Sequence, residues 1–71
     1  MFLKGKIKSF STPRGFGFIE VEGDIDDVFF HIKDLPQNNI EPKIGEALQF
    51  MIVEDQGKFK AGNIQRLGLS S

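Results

Sequence analysis

The sequence predicts an all-β fold, a five-stranded antiparallel barrel with Greek-key connections. Short runs of alternating apolar and polar residues recur between turn signals. No stretch of about 11 residues sustains the i, i+3, i+4, i+7 spacing of an amphipathic helix. With 71 residues the chain is one small domain, near the size at which closed β-barrels exist.

The first strand runs from Leu3 to Phe10 and stops at Ser11-Thr12-Pro13. A second, Gly15 to Val21, ends at Glu22-Gly23-Asp24, and a third covers Asp27 to Ile32. The fourth is Ala47 to Glu54, with Leu48, Phe50 and Ile52 as its core face. Asp55-Gln56-Gly57-Lys58 then turns the chain into a fifth strand, Phe59 to Leu67. The long connection, Lys33 to Gly45, contains Pro36 and Pro42. It is expected to begin with a 3₁₀ turn at Lys33 to Leu35, with Leu35, Ile40 and Ile44 as anchors on the barrel. Such an order of short strands with a long third connection suits an OB-fold barrel, and closure removes exposed sheet edges. The domain is expected to span residues 1–68, with 69–71 as a C-terminal tail.

Side-chain parity in strands two and three is the most informative feature. Residues two apart share a face. Phe16 and Phe18 therefore point one way, while Ile19 and Val21 point the other. In the third strand Phe29 and His31 oppose Val28, Phe30 and Ile32. The aliphatic set needs a core, so Phe16, Phe18, Phe29 and His31 fall together on the outer face. Gly15 and Gly17 flank Phe16 on the inner side and allow strong coiling of the strand. Exposed rings beside basic side chains hold single-stranded nucleic acid, with bases on the rings and cations along the phosphates.

Composition narrows the function. There are no cysteines, so disulfides and thiolate metal sites are excluded, and one histidine makes other metal sites improbable. No apolar run approaches the ~20 residues of a membrane span, and no signal-peptide pattern is present. The expectation is a cytoplasmic monomer with no membrane segment, no cofactor and no small-molecule substrate. Net charge is −1 with a pI of about 5.7, which disfavours a sequence-blind duplex binder. The cations are nevertheless grouped, with Lys4, Lys6, Lys8 and Arg14 early and Lys58 and Lys60 in the last hairpin. Eight phenylalanines without tryptophan or tyrosine suit a stacking surface. Asp24, Asp26 and Asp27 resemble a calcium loop only in composition and lack its spaced ligands and bidentate glutamate. No serine or threonine is placed to pair with His31 as a nucleophile, so no catalytic site is expected.

Arg14-Gly15-Phe16-Gly17-Phe18-Ile19 and Val28-Phe29-Phe30-His31 resemble the paired ribonucleoprotein motifs of the bacterial cold-shock domain, with arginine for the usual lysine in the first. The resemblance extends over nearly the whole chain. Gly5-Lys6-Ile7-Lys8 is similar to the family's opening strand, and Ile52-Val53-Glu54 with Ala61-Gly62-Asn63-Ile64 to its closing hairpin. It implies binding of single-stranded RNA or DNA, commonly pyrimidine-rich, in transcription, translation or RNA unfolding. It also implies a central stacking surface of Phe16, Phe18, Phe29 and His31, with Lys8 and Arg14 beside it and Asp27 accepting from a base edge. The chain departs from the family at Ser9-Phe10, where tryptophan and phenylalanine are usual, and at Ile32 and Ile40, which replace aromatics. Gly57-Lys58-Phe59-Lys60 puts a ring and two charges where a proline-containing turn is common. The stretch from Phe30 to Gly68 also resembles cold-shock domains fused ahead of a small membrane domain.

Some roles stay open at this level. Phe10 either packs at the barrel rim or stacks a base. Phe59 is either a subsite ring or a lid over the barrel end. The alternative function is a protein-interaction or regulatory module of a larger protein, which exposed rings also suit; Arg14, Lys8, Lys58 and Lys60 among the rings favour nucleic acid.

Overall fold

In the computed structural model, which describes residues 2–23 and 25–68, each alternating run becomes a strand. These are β1 (Leu3–Ser11), β2 (Phe16–Val21), β3 (Val28–His31), β4 (Ala47–Asp55) and β5 (Lys58–Gly68). A 3₁₀ turn, Ile32–Asp34, follows β3, one residue earlier than expected. The strands lie in the order β3-β2-β1-β4-β5 with every neighbour antiparallel. A meander of three strands with the fourth returning beside the first is a Greek key. The outer strands β3 and β5 pack side by side and close an OB-fold barrel. The expected tail at 69–71, and Asp24 of the acidic turn, lie outside the described residues.

The barrel interior is filled by the inward parity of each strand. Phe30, Phe50, Ile7, Ile19 and Leu48 are almost wholly buried. Two rows cross the first three strands on this face: Ile7–Ile19–Val28 and Phe10–Gly17–Phe30. In the second row glycine is required. A Cβ on Gly17 would stand 2.9 Å from the Phe30 ring and 3.0 Å from the Phe10 Cα. Without one, the Phe10 and Phe30 rings stack, with centroids 5.9 Å apart and planes 16° from parallel.

Phe10 reaches the interior because β1 carries a bulge. Ile7 opposes Ile19 but Ser9 opposes Phe18, leaving Lys8 as the extra residue. An extra residue reverses strand parity beyond it, so Ser9 faces outward and Phe10 inward. Rim packing is therefore the structural role of Phe10.

Two expectations about apolar anchors are corrected. Ile52 does not share the core with Leu48 and Phe50; it is 42% exposed. Its ladder partner Ala61 is fully buried, but Ile52 itself lines an open depression with Ile25, Val28 and Phe59. Ile40 and Ile44 are likewise exposed, and of the three expected loop anchors only Leu35 is buried. Arg66 holds the loop instead. Its Nε and Nη2 donate to the two carboxylate oxygens of Glu46, and Nη1 donates to the carbonyls of Gln37 and Ile40, both at 2.9 Å. Both side chains of this ion pair are more than nine-tenths buried. The guanidinium thus satisfies loop carbonyls that no sheet ladder could reach.

The stability of this framework can be tested by denaturant unfolding. Phe30→Ala should cost about 3–5 kcal/mol, and Phe29→Ala, on the opposite face, clearly less. Glu46→Ala leaves a buried guanidinium uncompensated and should cost about 3–5 kcal/mol. Its pH dependence has a defined sign. Hydrogen bonding to Arg66, opposed by burial, holds the Glu46 carboxyl below its ordinary value. The stabilisation is complete above the unfolded-state value, about 4.3, and is lost as pH falls through the folded one. The gap between wild type and Glu46→Ala should therefore narrow in melts run towards pH 2.

Candidate nucleic-acid interface

The outer face of β2 and β3 is set by their register. Phe16 opposes His31 and Phe18 opposes Phe29, with Ser11 and Ser9 completing the two rows on β1. The three phenylalanines pack on one another. Phe16 and Phe29 have centroids 5.4 Å apart, Phe18 and Phe29 6.0 Å, and Phe16 and Phe18 6.4 Å in an edge-on arrangement. Phe18 is exposed, and Phe16, Phe29 and His31 are half-buried. The rings form a continuous apolar surface where alternation would ordinarily place polar side chains.

Local backbone features hold the platform in place. Gly15 sits in the left-handed region with φ of 75°. Its N–H donates to the Ser11 carbonyl and its carbonyl accepts from the Ile32 N–H, both at 2.8 Å. This corner joins the β1–β2 turn to the end of β3 and leaves Arg14 with its guanidinium 6.0 Å from the Phe16 ring centroid. His31 caps the 3₁₀ turn: its Nδ1 accepts from the Lys33 N–H at 3.1 Å. In the neutral ring the proton is therefore on Nε2.

The expected charged residues divide into two groups. Lys8 donates to Asp27 at 3.1 Å, and that hydrogen bond raises the lysine above its ordinary value. Two candidate ligand contacts thus satisfy each other across β2. Lys60 bridges Asp34 at 3.1 Å and Asp55 at 3.4 Å, and the Asp34 hydrogen bond likewise raises it. Arg14 and Lys58 form no ion pair among the described residues.

Phe29, Asp55, Gln56, Lys58, Phe59 and Lys60 line a groove of about 390 Å³ at the β3–β5 seam. The structure therefore brings the last hairpin to the edge of the ring platform. Phe59 is 68% exposed, and its other side borders a depression with Ile25, Val28 and Ile52. At the opposite end of the platform, Phe10 lines a shallow cleft with Ile32, Asn38 and Asn39. Asp55 and Gln56 were legible only as turn residues; their place beside Phe29 depends on barrel closure. Asp34 carries no local signal for its link to Lys60 either.

Among the described residues no group of three or more His, Asp or Glu is arranged to hold a metal. No described helix is long and apolar enough to cross a membrane.

The 'cold-shock' DNA-binding domain family matches residues 3–67. Cold shock protein CspA of Staphylococcus aureus (strain USA300) is 38% identical over 65 residues, 90% of this chain and 97% of that protein. The CspA of Staphylococcus haemolyticus is 37% identical over the same shares. Among solved structures, drosophila Unr CSD456 superimposes with a TM-score of 0.79 at 24% identity, over 94% of this chain and 27% of that one, which is a likeness of fold. The family match over most of the chain and the identity to full-length CspA proteins establish that the chain belongs to the cold-shock domain family, whose members bind nucleic acid.

Proposed function

We propose that this protein binds single-stranded RNA or DNA by stacking bases on Phe16, Phe18, Phe29 and His31, as an RNA chaperone or a regulator of transcription or translation. The observation that carries the reading is the outward ring cluster fixed by the β2–β3 register. Stacking is tolerant of sequence because every base has a π-face, and a pyrimidine-rich preference is the family expectation. Arg14 and Lys58, in no ion pair among the described residues, would track phosphates. Lys8 and Asp27 would exchange their mutual contact for a phosphate and a base edge, at small cost because the pair is exposed. Phe59 and Lys60 would border the path of the strand, and Phe10 would support it from the rim. Residues 1–68 would act as a monomeric binding domain in the cytoplasm.

A second reading, a barrel that docks a protein partner, is favoured by the exposed Ile25, Ile52 and Phe59. Titration of labelled oligo-dT at two salt concentrations separates the two. Phe16→Ala, Phe18→Ala and Phe29→Ala should each weaken binding by about 1–3 kcal/mol. The slope of log K against log salt should be shallow, about −2.1 for three contacted phosphates. Oligo-dT affinity that is absent, or unchanged in all three alanine variants, would reject the stacking reading.

A further inference from the structure

The two edges of the ring platform are unlike. On the β1 edge the residues opposite Phe18 and Phe16 are Ser9 and Ser11, which offer no π-face. The Lys8–Asp27 pair, at 3.1 Å, ties that edge to the segment leading into β3. On the other edge a groove of about 390 Å³ lies open between Phe29 and Phe59. Its size falls within the ~300–1,000 Å³ typical of small-molecule sites.

We infer that this groove holds a nucleobase against Phe59, so that the strand leaves the platform across the β3–β5 seam and not over β1. The inference rests on the stacking function proposed above and assigns the direction in which the bound strand continues.

The hairpin does not need Phe59 for its own stability. Its turn is made by Gln56 and Gly57, both with positive φ, 54° and 80°, the geometry of a two-residue hairpin loop whose twist matches the strands. Phe59 lies beyond that turn, contributes nothing to the buried core and leaves 68% of its surface in water. Phe59 shares a depression with the exposed Ile25 and Ile52, and a contiguous exposed apolar patch marks a binding surface. Its neighbours suit a nucleotide. Lys58 is exposed and in no ion pair among the described residues, so its ammonium is available to a phosphate. The Gln56 carboxamide can both donate to and accept from a base edge. Lys60 also links Asp55 at the hairpin to Asp34 in the 3₁₀ turn, connecting the Phe59 side of the groove to the end of β3. The platform thus lacks a ring at its β1 edge and has one at its β5 edge.

Anisotropy titrations with labelled dT4 and dT8 test the direction. Phe18→Ala should weaken both oligonucleotides. The loss from Phe59→Ala should grow with length and reach about five- to 150-fold for dT8, the equivalent of one stacked base. Phe59→Trp places a single indole in a chain that has no tryptophan; dT8 should quench it more than dT4 does. The exposure of Phe59 makes unfolding of these variants unexpected, and a thermal melt checks it. Equal losses for dT4 and dT8, or no loss with no quenching, would overturn the groove and leave Phe59 to a protein partner. Loss of the Phe18 effect would instead overturn the platform itself, whatever Phe59 does.

Discussion

Gly17 stands between Phe10 and Phe30 on the inward face of the sheet, where a Cβ would come within 2.9 Å of one ring and 3.0 Å of the other residue's backbone. Only glycine fits there, and its position locks β2 against both neighbours. A slip of one residue in either ladder would bring a side chain into that slot. It would also turn every residue of β2 to the opposite face, burying Phe16 and Phe18 and exposing Ile19. The cost of a glycine inside a strand is offset by the stacking of Phe10 on Phe30, which closes the barrel at that end. Core and outer ring cluster are therefore two faces of one register.

The parity that builds both faces was legible because it is local. Phe16, Phe18, Phe29 and His31 were assigned to the outer face from spacing alone, and Ile19, Val28 and Phe30 to the inner one; the structure agrees on all seven. Strand bounds agree to within one residue for the same reason. Phe10 was undecidable because the bulge at Lys8 is a property of two strands together, invisible in the alternation of one. Ile52 was misplaced because alternation reports which way a side chain points, not whether anything lies opposite. Ile52 points inward beside the buried Ala61 but faces a depression that Ile25, Val28 and Phe59 border without filling.

Long-range polar contacts were the least legible. Ile40 and Ile44 looked like anchors because apolar residues in a loop usually seek a core. The loop is instead held by Arg66, twenty residues from Glu46 and further still from Gln37 and Ile40. An arginine in an alternating strand looks solvated, and only the fold shows that it meets a buried carboxylate and two loop carbonyls. Such a pair pays heavily in desolvation, and the Gln37 and Ile40 carbonyls offset part of that cost for the guanidinium.

These charges also differ in how readily they can be exchanged for a ligand. The Arg66–Glu46 pair is buried, and opening it would strand both a charge and a loop. The Lys8–Asp27 pair has side chains 55% and 37% exposed; water already competes for both groups, and exposed pairs contribute little. Lys60, 26% exposed between two carboxylates, lies between these limits and is better suited to holding the hairpin than to releasing it. A chain of net charge −1 therefore has few cations to give to phosphates without loosening its own structure. Under the proposed function that shortage explains why the rings, and not the lysines, must supply most of the affinity.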